Sequence, residues 1–420
     1  MKKIITTTVL SVIGLTSLAQ NPGGTSADEK VSQIQLNTIT TAVPFLIITP
    51  DSRAGAMGDA GVATSADVNS FHWNTAKLAF SKNKTEIGMS YSPWLRQLVD
   101  DIHLSYIAGY HKVSKRGTFG GSLRYFSLGE ITFTDNIGAE TRVFTPNEFE
   151  LLGGYSYQLT DRMALGINGK FVYSNLTGGT SVGTSQAKAG LAGAADLSFA
   201  YMNEDLDVGK YDAHLSFGAT IQNLGNKISY SDAITKDFLP ANLRLGTAFK
   251  VKFDKFNSLT ATVDFNKLLV PTTPYRDPNN SDPTTNIVSG KENDGVGVIT
   301  GALQSFYDAP GNVTANGDGS FSVASGSVFG EELREINIGG GLEYWYSNVL
   351  AVRTGCFHEA ASKGNRKYLT FGAGLYYSSF GIDVSYLVSV TQNNPLANTV
   401  RFSLQFKFGG KAKKDSPTAD

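Results

Sequence analysis

The sequence has a single cysteine, no excess of basic residues and, after its first residues, no long apolar run. With Cys356 alone among 420 residues, no disulfide can form within the chain. The 36 Lys and Arg are balanced by 37 Asp and Glu, so the charge gives no support for nucleic-acid binding. No later apolar stretch approaches the roughly 20 residues that a membrane helix needs. A helical membrane protein and a nucleic-acid-binding protein are therefore both disfavoured.

Recognisable metal-binding motifs are also missing, and support for catalysis is weak. The stretch 179–183 matches G-x-S-x-G, but it falls in a predicted long loop and not on the strand-to-helix turn that carries the nucleophile in this motif. Two oxygen-rich stretches, 277–283 and 316–320, lack the EF-hand spacing, so we interpret them as solvated turns, with calcium binding as the alternative. We therefore predict no enzymatic activity, no catalytic residue, no metal site and no cofactor. The histidines are scattered and form no zinc pattern: His72, His103, His111, His214 and His358.

What the sequence does contain is strand periodicity, clearest in its last regular stretch, Thr399 to Phe408. Apolar residues at 400, 402, 404, 406 and 408 alternate with polar residues at 399, 401, 403, 405 and 407. Successive side chains of a strand point to opposite faces. About ten residues is the length that a tilted strand needs to cross a bilayer. An apolar face with a charged opposite face is what lipid and a watery lumen require.

The same alternation recurs from Thr85 onward and gives fourteen strands in all, each with its apolar face taken to meet lipid. Short connections, such as 113–116 and 347–349, alternate with long ones, such as 127–146 and 268–334. This alternation is typical of outer-membrane barrels, which have short periplasmic turns and longer extracellular loops. We predict an all-β fold, a transmembrane antiparallel β-barrel of about 14 strands with an N-terminal plug segment. The even strand number places both termini in the periplasm. One apolar face belongs to the second strand: Ile102, Leu104, Tyr106, Ala108 and Tyr110.

The chain divides into four predicted regions. Residues 1–19 are a signal peptide, with Lys2 and Lys3 before an apolar stretch and cleavage expected after Ala19. Residues 20–84 form a periplasmic or plug segment, because they carry too few large apolar residues to bury a core of their own. Residues 85–408 form the barrel, with the long extracellular loop 268–334, and residues 409–420 a periplasmic tail. The candidate plug motif consists of Asp51, Arg53, Met57, Gly58, Trp73 and Asn74.

Inward-facing positions of the predicted barrel carry charges of both signs, which indicates a cross-linked lumen wall. The alternation also predicts how two consecutive strands pair. Leu342, Tyr344 and Tyr346 must face outward, on the same side of the sheet as Leu350, where the next strand starts. That register predicts a three-residue turn at 347–349 and sets Glu343 opposite Arg353. The predicted inward charges are Arg124, Glu148, Glu150, Lys170, Arg244, Asp264, Glu343, Arg353, Asp383 and Arg401.

The loop 268–334 is far longer than the usual connection in a compact domain, which indicates either function or disorder. Its stretch 296–307 is more apolar, and we expect a short helix and a contact surface there. Aromatic and apolar loop residues are the natural anchors of a protein partner. The candidate partner-binding residues are Trp94, Leu95, Phe306 and Tyr307.

Several stretches resemble the PorV family, an outer-membrane component of the type IX secretion system that is itself related to FadL-type fatty-acid channels. The resemblance covers nearly the whole mature chain. FadL-type relatives usually carry Asn-Pro-Ala where this chain has Asn74-Thr75-Ala76, which favours PorV over a channel for hydrophobic substrates. The stretches are D-S-R-A-G-A-M-G-D-A-G-V-A from Asp51, W-N-T-A-K-L-A from Trp73, G-A-T-I-Q-N-L-G from Gly218, L-P-A-N-L-R-L-G from Leu239 and A-V-R-T-G-C-F-H-E from Ala351.

The resemblance implies a fourteen-stranded barrel in the outer membrane of a Gram-negative bacterium. It implies that the protein takes cargo by the cargo's C-terminal signal domain at the large translocon barrel and passes it to the sortase complex at the cell surface. Outer-membrane lipid would surround it. Two alternatives stay open because a fold alone leaves function undecided. One is a FadL-like channel for hydrophobic small molecules, which requires an apolar lumen pocket. The other is a lipid A deacylase, which requires a Ser/His/acid cluster at the outer rim.

Overall fold

The computed structural model describes residues 36–96, 99–135, 137–179, 187–231, 236–283, 285–391 and 396–409. The predicted signal peptide, the start of the predicted plug segment and nearly all of the tail lie outside these residues. The helices are α1 (Ser52–Gly55), α2 (Ser70–Trp73), α3 (Val298–Gln304) and α4 (Ser327–Arg334), with 3-10 turns at Pro44–Ile47, Thr75–Phe80 and Ala361–Lys363. None of these helices has the length and apolarity needed to span a bilayer.

Fourteen antiparallel strands form a closed barrel, in which the first strand pairs with the last. The predicted fold class and strand number are therefore confirmed. The remaining six strands form three hairpins inside long connections. In chain order the barrel strands and hairpin strands are β1 (Thr85–Pro93), β2 (Ile102–Lys112), β3 (Gly117–Leu128), β4 (Ile131–Thr134), β5 (Glu140–Phe144), β6 (Asn147–Gln158), β7 (Met163–Asn175), β8 (Gly190–Val208), β9 (Tyr211–Gly225), β10 (Asn242–Lys252), β11 (Asn257–Leu268), β12 (Tyr275–Arg276), β13 (Ile287–Ser289), β14 (Val313–Ala315), β15 (Phe321–Val323), β16 (Ile336–Tyr346), β17 (Leu350–His358), β18 (Lys367–Tyr377), β19 (Phe380–Ser389) and β20 (Val400–Phe408).

The two ends of the barrel differ in the length of their connections. One end, the short-turn end, has tight turns such as 209–210 and 378–379. The other, the long-loop end, has the long connections, among them 129–146 and 269–335. Thr85 pairs with Phe408, so the first barrel strand begins and the last one ends at the short-turn end. The alternation of connection lengths in the sequence is thus a true property of the fold.

Register follows the pattern of the sequence where it was predicted. Glu343 pairs with Arg353 and Tyr346 pairs with Leu350, across a turn at residues 347–349. Leu342, Tyr344 and Val352 are exposed on the outer face, as predicted. All ten predicted inward charges are buried. Alternation with period two therefore separates the two faces correctly along these strands.

The apolar face of β2 is an exception to the prediction, and the expectation that it meets lipid is wrong. Leu104, Tyr106, Ala108 and Tyr110 are buried inside the barrel, while Ile107 is exposed on the outer face. The inward side chains pack on an apolar part of the segment that precedes β1. Periodicity shows that a strand has two faces, but only the packing partner decides which face turns inward.

Segment 37–84, called the inner segment below, makes contacts with inward-facing side chains all around the barrel. The backbone N–H of Ser52 donates to Ser403 Oγ on β20 at 2.9 Å, and that of Gly58 donates to Thr370 Oγ1 on β18 at 2.9 Å. Thr75 Oγ1 donates to Asn168 Oδ1 on β7 at 2.8 Å. Since these strands lie on different sides of the barrel, the segment occupies its interior at this level.

The free thiol gives a direct test of the membrane-facing wall. Cys356 is exposed on the outer face of β17, as are Val352 and Thr354. Of these three residues, Cys356 lies nearest the long-loop end. In intact outer membranes we expect a lipid-soluble maleimide to label Cys356 and a membrane-impermeant one to leave it unmodified. A Ser281→Cys substitution in a C356S background is the matched control, because Ser281 is exposed in the long loop. Rapid labelling of Cys356 by the impermeant reagent would contradict its placement in lipid.

Candidate functional site

The inner segment is shaped by caps that its own sequence supplies. Asp51 caps α1 by accepting a hydrogen bond from the N–H of Ala54 at 2.9 Å. Asn74 caps the following 3-10 turn by accepting from the N–H of Ala76 at 3.1 Å. Side-chain oxygens at these positions satisfy backbone donors that have no partner within the helix. The predicted motif residues Asp51 and Asn74 thus act first as local structural caps.

Both caps also join separate parts of the interior. Trp73 Nε1 donates to Asp51 Oδ1 at 2.7 Å, which ties α2 to the start of α1. Burial, and next the charge of Asp67, raises the pKa of Asp51 to about 6. Asn74 Nδ2 donates to the carbonyl oxygen of Val62 at 3.0 Å and to that of Phe199 on β8 at 2.9 Å. The two stretches of the motif are therefore hydrogen-bonded to one another and to the wall.

Arg53 connects the inner segment to a buried charge network in the wall. Its Nε donates to Glu343 Oε2 at 2.9 Å, and its Nη1 donates to Asp67 Oδ2 at 2.8 Å. Glu343 also accepts from Arg353 Nε at 2.8 Å, and Arg353 Nη1 donates to Asp383 Oδ1 at 2.6 Å. The predicted Glu343–Arg353 pair exists, but its carboxylate is shared with the inner segment.

Met57 and Gly58 lie where the inner segment approaches the wall most closely. Gly58 has φ +67, and a Cβ built there would lie 2.1 Å from the carbonyl oxygen of Cys356. A Cβ on Gly341 or Gly355 would lie 2.7 Å or less from atoms of Met57. Glycines on both surfaces thus allow backbone to pack on backbone.

This close approach predicts a large effect of one methyl group. Gly58→Ala should lower the free energy of unfolding by about 2–5 kcal/mol, because left-handed strain and overpacking add. Gly138→Ala is the matched control: Gly138 has φ +83 but no atom within 4 Å of a built Cβ, so only the strain of about 1–2 kcal/mol applies. Urea unfolding in detergent, followed by tryptophan fluorescence, measures both. Equal losses for the two variants would contradict the close packing.

Arg124 binds the inner segment rather than the wall alone. Its Nη1 donates to the carbonyl oxygens of Phe45 at 3.0 Å and Leu46 at 2.6 Å, and its Nη2 donates to His72 Nδ1. Burial, followed by the charge of Arg124, holds the pKa of His72 well below its usual range. Because an arginine can only donate, His72 Nδ1 is the acceptor of this hydrogen bond. The inward charges of the wall serve largely to fix the inner segment, which the sequence pattern did not reveal.

A second charge cluster, which sequence reasoning missed, anchors the long loop. Lys267 Nζ donates to Glu335 Oε2 at 2.6 Å, and Lys363 Nζ donates to Glu331 Oε1 at 2.6 Å and Glu335 Oε1 at 2.9 Å. Thr272 Oγ1 also donates to Glu335 Oε1 at 2.7 Å. The i, i+4 spacing of Glu331 and Glu335 was the available signal. The end of α4 is thus fixed on the barrel rim.

On this anchored loop, α3 presents an apolar surface. It confirms the short helix expected at 296–307. Ile299 and Leu303, which are 60% and 63% exposed, lie on one helical face, and the exposed Phe306 and Tyr307 follow. We call these four residues the loop patch. The predicted contact residues Phe306 and Tyr307 are thus exposed, and each ring lies near a lysine ammonium group, Lys267 Nζ at 5.6 Å and Lys291 Nζ at 3.7 Å.

The other two predicted contact residues occupy a different setting. Trp94 and Leu95 are half-buried and line a cavity of about 600 Å³ at the long-loop end. The Trp94 ring lies 5.9 Å from the Arg401 guanidinium carbon and packs against an apolar cluster. The structure does not bring Trp94 and Leu95 into the loop patch. Other walls of the cavity come from Pro44, Phe45, Ile48, Ile102, Phe126 and Leu128.

The described part of the chain shows no group of three or more residues arranged to hold a metal ion. Four histidines form hydrogen bonds or ion pairs there, and none of the partners is a serine. His72 accepts from Arg124, His103 bonds to the carbonyl oxygen of Asp101, His111 bonds to Thr85, and His214 lies near Glu204. The Ser/His/acid cluster required for a deacylase is therefore not seen among the described residues.

Comparison with known proteins identifies the family. The model of the family described as "Type IX secretion system protein PorV" matches residues 31–275, which is more than half of the 420 residues. The chain belongs to the PorV family. It is thus an outer-membrane β-barrel of a type IX secretion family. The PorV match spans the inner segment and β1 to β11, whereas the loop patch lies beyond it.

No curated protein matches the chain. Among solved structures, the Ralstonia pickettii toluene transporter TbuX is similar with 12% identity and a TM-score of 0.44, over 86% of this chain and 98% of that one. The Pseudomonas putida toluene transporter TodX has 11% identity and a TM-score of 0.44, over 89% and 98%. A Pseudomonas aeruginosa FadL homologue has 11% and 0.41, over 89% and 100%. At such low identities and TM-scores, the similarity to these three structures gives no information about what this PorV-family chain binds.

Proposed function

We propose that this protein is a secretion-system subunit that binds cargo bearing a C-terminal type IX signal domain at the translocon and passes it to the surface sortase complex. Membership in the PorV family is the observation that supports this proposal. The enzyme alternative has less support, since no serine–histidine pair of the required kind is seen in the described residues.

The interior geometry favours partner binding over transport through the barrel. The inner segment bonds to β3, β7, β11, β18 and β20, so it leaves no wide path at its level. We propose that it acts as a plug and that both termini lie in the periplasm. The long-loop end then faces the cell exterior, and partners meet the protein there.

The loop patch is the proposed docking surface for a partner protein. A stable contact buries about 800 Å² on each side, which a tight turn cannot supply but a loop of the size of 269–335 can. Large apolar side chains at the centre of such a contact carry most of its binding energy. The Lys267–Glu335 and Lys363–Glu331 bonds hold the loop in place, so little ordering is needed when the partner binds.

One observation favours a second function, a channel for hydrophobic small molecules. The cavity of about 600 Å³ at the long-loop end has largely apolar walls, as such a ligand site requires. Passage beyond the cavity would require the inner segment to move, which breaks its contacts with Arg124 and Glu343. This requirement makes the channel the less favoured candidate.

Isolation of the intact protein from membranes tests the choice. A tagged chain, extracted in mild detergent, should carry with it the translocon barrel and proteins that end in the type IX signal domain. A closed control barrel of similar size from the same membranes should not. Recovery of the protein with lipophilic small molecules and without these proteins would support the channel instead.

A further inference from the structure

One inward carboxylate of the barrel wall, Glu148 on β6, has no cation beside it. Glu148 is only 3% exposed, and no lysine, arginine or histidine of the described residues lies within ion-pair distance of its carboxylate. The internal stretches outside the described residues, such as 180–186 and 232–235, contain no lysine, arginine or histidine. By contrast, Glu343 pairs with Arg53 and Arg353. Glu148 therefore lacks the counter-charge that a buried carboxylate normally needs.

Two hydroxyl groups in series donate toward this carboxylate. Tyr230 OH donates to Ser174 Oγ at 2.9 Å, and Ser174 Oγ donates to Glu148 Oε1 at 2.6 Å. Ser174 lies directly opposite Glu148 on β7. Donation to a carboxylate stabilises its ionised form, whereas burial without a cation disfavours that form. Within the described structure Glu148 Oε2 accepts no hydrogen bond, so this oxygen is open to a further donor.

Glu148 also lines a cavity of about 450 Å³ at the long-loop end. Phe126 lies opposite Glu148 on β3, and Leu128, two residues further along that strand, lines the same cavity. Leu176 is 37% exposed and Asp237 is exposed, so the cavity reaches the surface. The cavity thus combines a buried carboxylate with apolar walls. The inner segment forms one side of it with Thr40, Thr41, Ala42, Val43 and Pro44.

We propose that this cavity binds an organic cation, a primary ammonium group on an apolar stem, with the ammonium group on Glu148. An ammonium group has three donors and no acceptor, which matches an ionised carboxylate with an open oxygen. The volume exceeds that of an ammonium group and leaves room for the stem beside Phe126 and Leu128. A metal ion fits less well, because hard cations need several oxygen ligands and the described residues contain no group of three or more acidic, histidine or cysteine side chains.

The ammonium group has two possible sources, a free organic amine or the lysine side chain of a partner protein. Both would enter from the long-loop end, where the cavity reaches the surface. This inference does not rest on the proposed function, because the missing counter-charge of Glu148 is a property of the barrel itself.

The test is thermal unfolding of the full-length protein in a non-ionic detergent near neutral pH. Butylammonium, butanol and butyrate are titrated at an ionic strength held constant with sodium chloride. The midpoint should rise, and reach a plateau, with butylammonium but not with butanol or butyrate, because only the ammonium group compensates Glu148. A blocked tripeptide with a central lysine is the second ammonium probe. A response to both ammonium probes supports a free amine, and a response to the tripeptide alone supports a lysine side chain of a partner.

Glu148→Gln should raise the probe concentration for half of the effect about tenfold or more. Without probe its midpoint should stay the same or rise, since an uncompensated buried charge is removed. Glu130→Gln is the matched control, because Glu130 is an exposed carboxylate at the same end, and it should leave the response unchanged.

Leu128→Lys keeps the inference testable if Glu148→Gln does not fold. It places an ammonium group of the protein itself diagonally across from Glu148, so it should raise the midpoint without probe and remove the response to butylammonium. A Leu128→Lys protein that still responds would contradict the site. The proposal is also wrong if the unaltered protein responds to neither ammonium probe, if butanol stabilises it as well as butylammonium does, or if Glu148→Gln responds as the unaltered protein does.

Discussion

Glu343→Gln is expected to lower the free energy of unfolding by about 3 kcal/mol or more. Three charge-assisted hydrogen bonds end on this buried carboxylate, two from Arg53 and one from Arg353, at 2.8–2.9 Å. A glutamine has the same shape as the glutamate but no charge. Its NH2 group is a donor, so it cannot accept the hydrogen bonds that an arginine donates to that side of the carboxylate. The inner segment and the wall lose their shared counter-ion together. Urea unfolding of the purified protein in detergent measures the loss.

The matched control is the same substitution at another buried position. Glu86, on β1, is 1% exposed and accepts from Tyr110, but no cation lies within ion-pair distance among the described residues. Glu86→Gln should therefore cost about 1 kcal/mol or less. If the two variants unfold at the same urea concentration, the network around Glu343 does not hold the inner segment as described.

Removal of the loop patch is expected to reduce partner recovery about tenfold or more, as loss of central interface residues does. The change is Leu303→Ser combined with Phe306→Ser, and both side chains are exposed in the described structure. Stability should hardly change, because neither residue packs in the core. The amount of translocon barrel recovered with the tagged protein is the measurement.

A control for this prediction lies in another loop. Ile137 is 89% exposed between β4 and β5, also at the long-loop end. Ile137→Ser removes an exposed apolar side chain without touching the loop patch, so recovery of the partner should stay unchanged. An equal decrease in both variants would show that the loop patch is not the specific contact.

The sequence predicts the wall of the barrel well because each strand must place apolar side chains toward lipid and polar side chains toward the interior, in alternation. That constraint gives fourteen strands, the long and short connections, and the Glu343–Arg353 pair. It fails at β2, where Tyr106 and Tyr110 turn inward onto an apolar part of the inner segment. The outward face of β2, with His103, Ser105 and His111, is the more polar of the two, so the contact with the inner segment outweighs lipid compatibility at this strand.

The interior could not be predicted in the same way. The bonds of Arg53 to Glu343 and of Arg124 to Phe45 join residues far apart in the chain, and no local pattern encodes such pairs. Composition did indicate charges of both signs inside the barrel, but not that the inner segment is their main partner.

Deletion of the gene is the most direct test of the proposed role in secretion. If this PorV-family chain handles cargo, proteins with the type IX signal domain should accumulate in the periplasm of the deletion strain and disappear from the cell surface. Uptake of lipophilic compounds should stay at the level of the parent strain, and a plasmid copy should restore export. Normal display of cargo on the surface, together with reduced uptake of lipophilic compounds, would contradict the secretion role and establish the channel in its place.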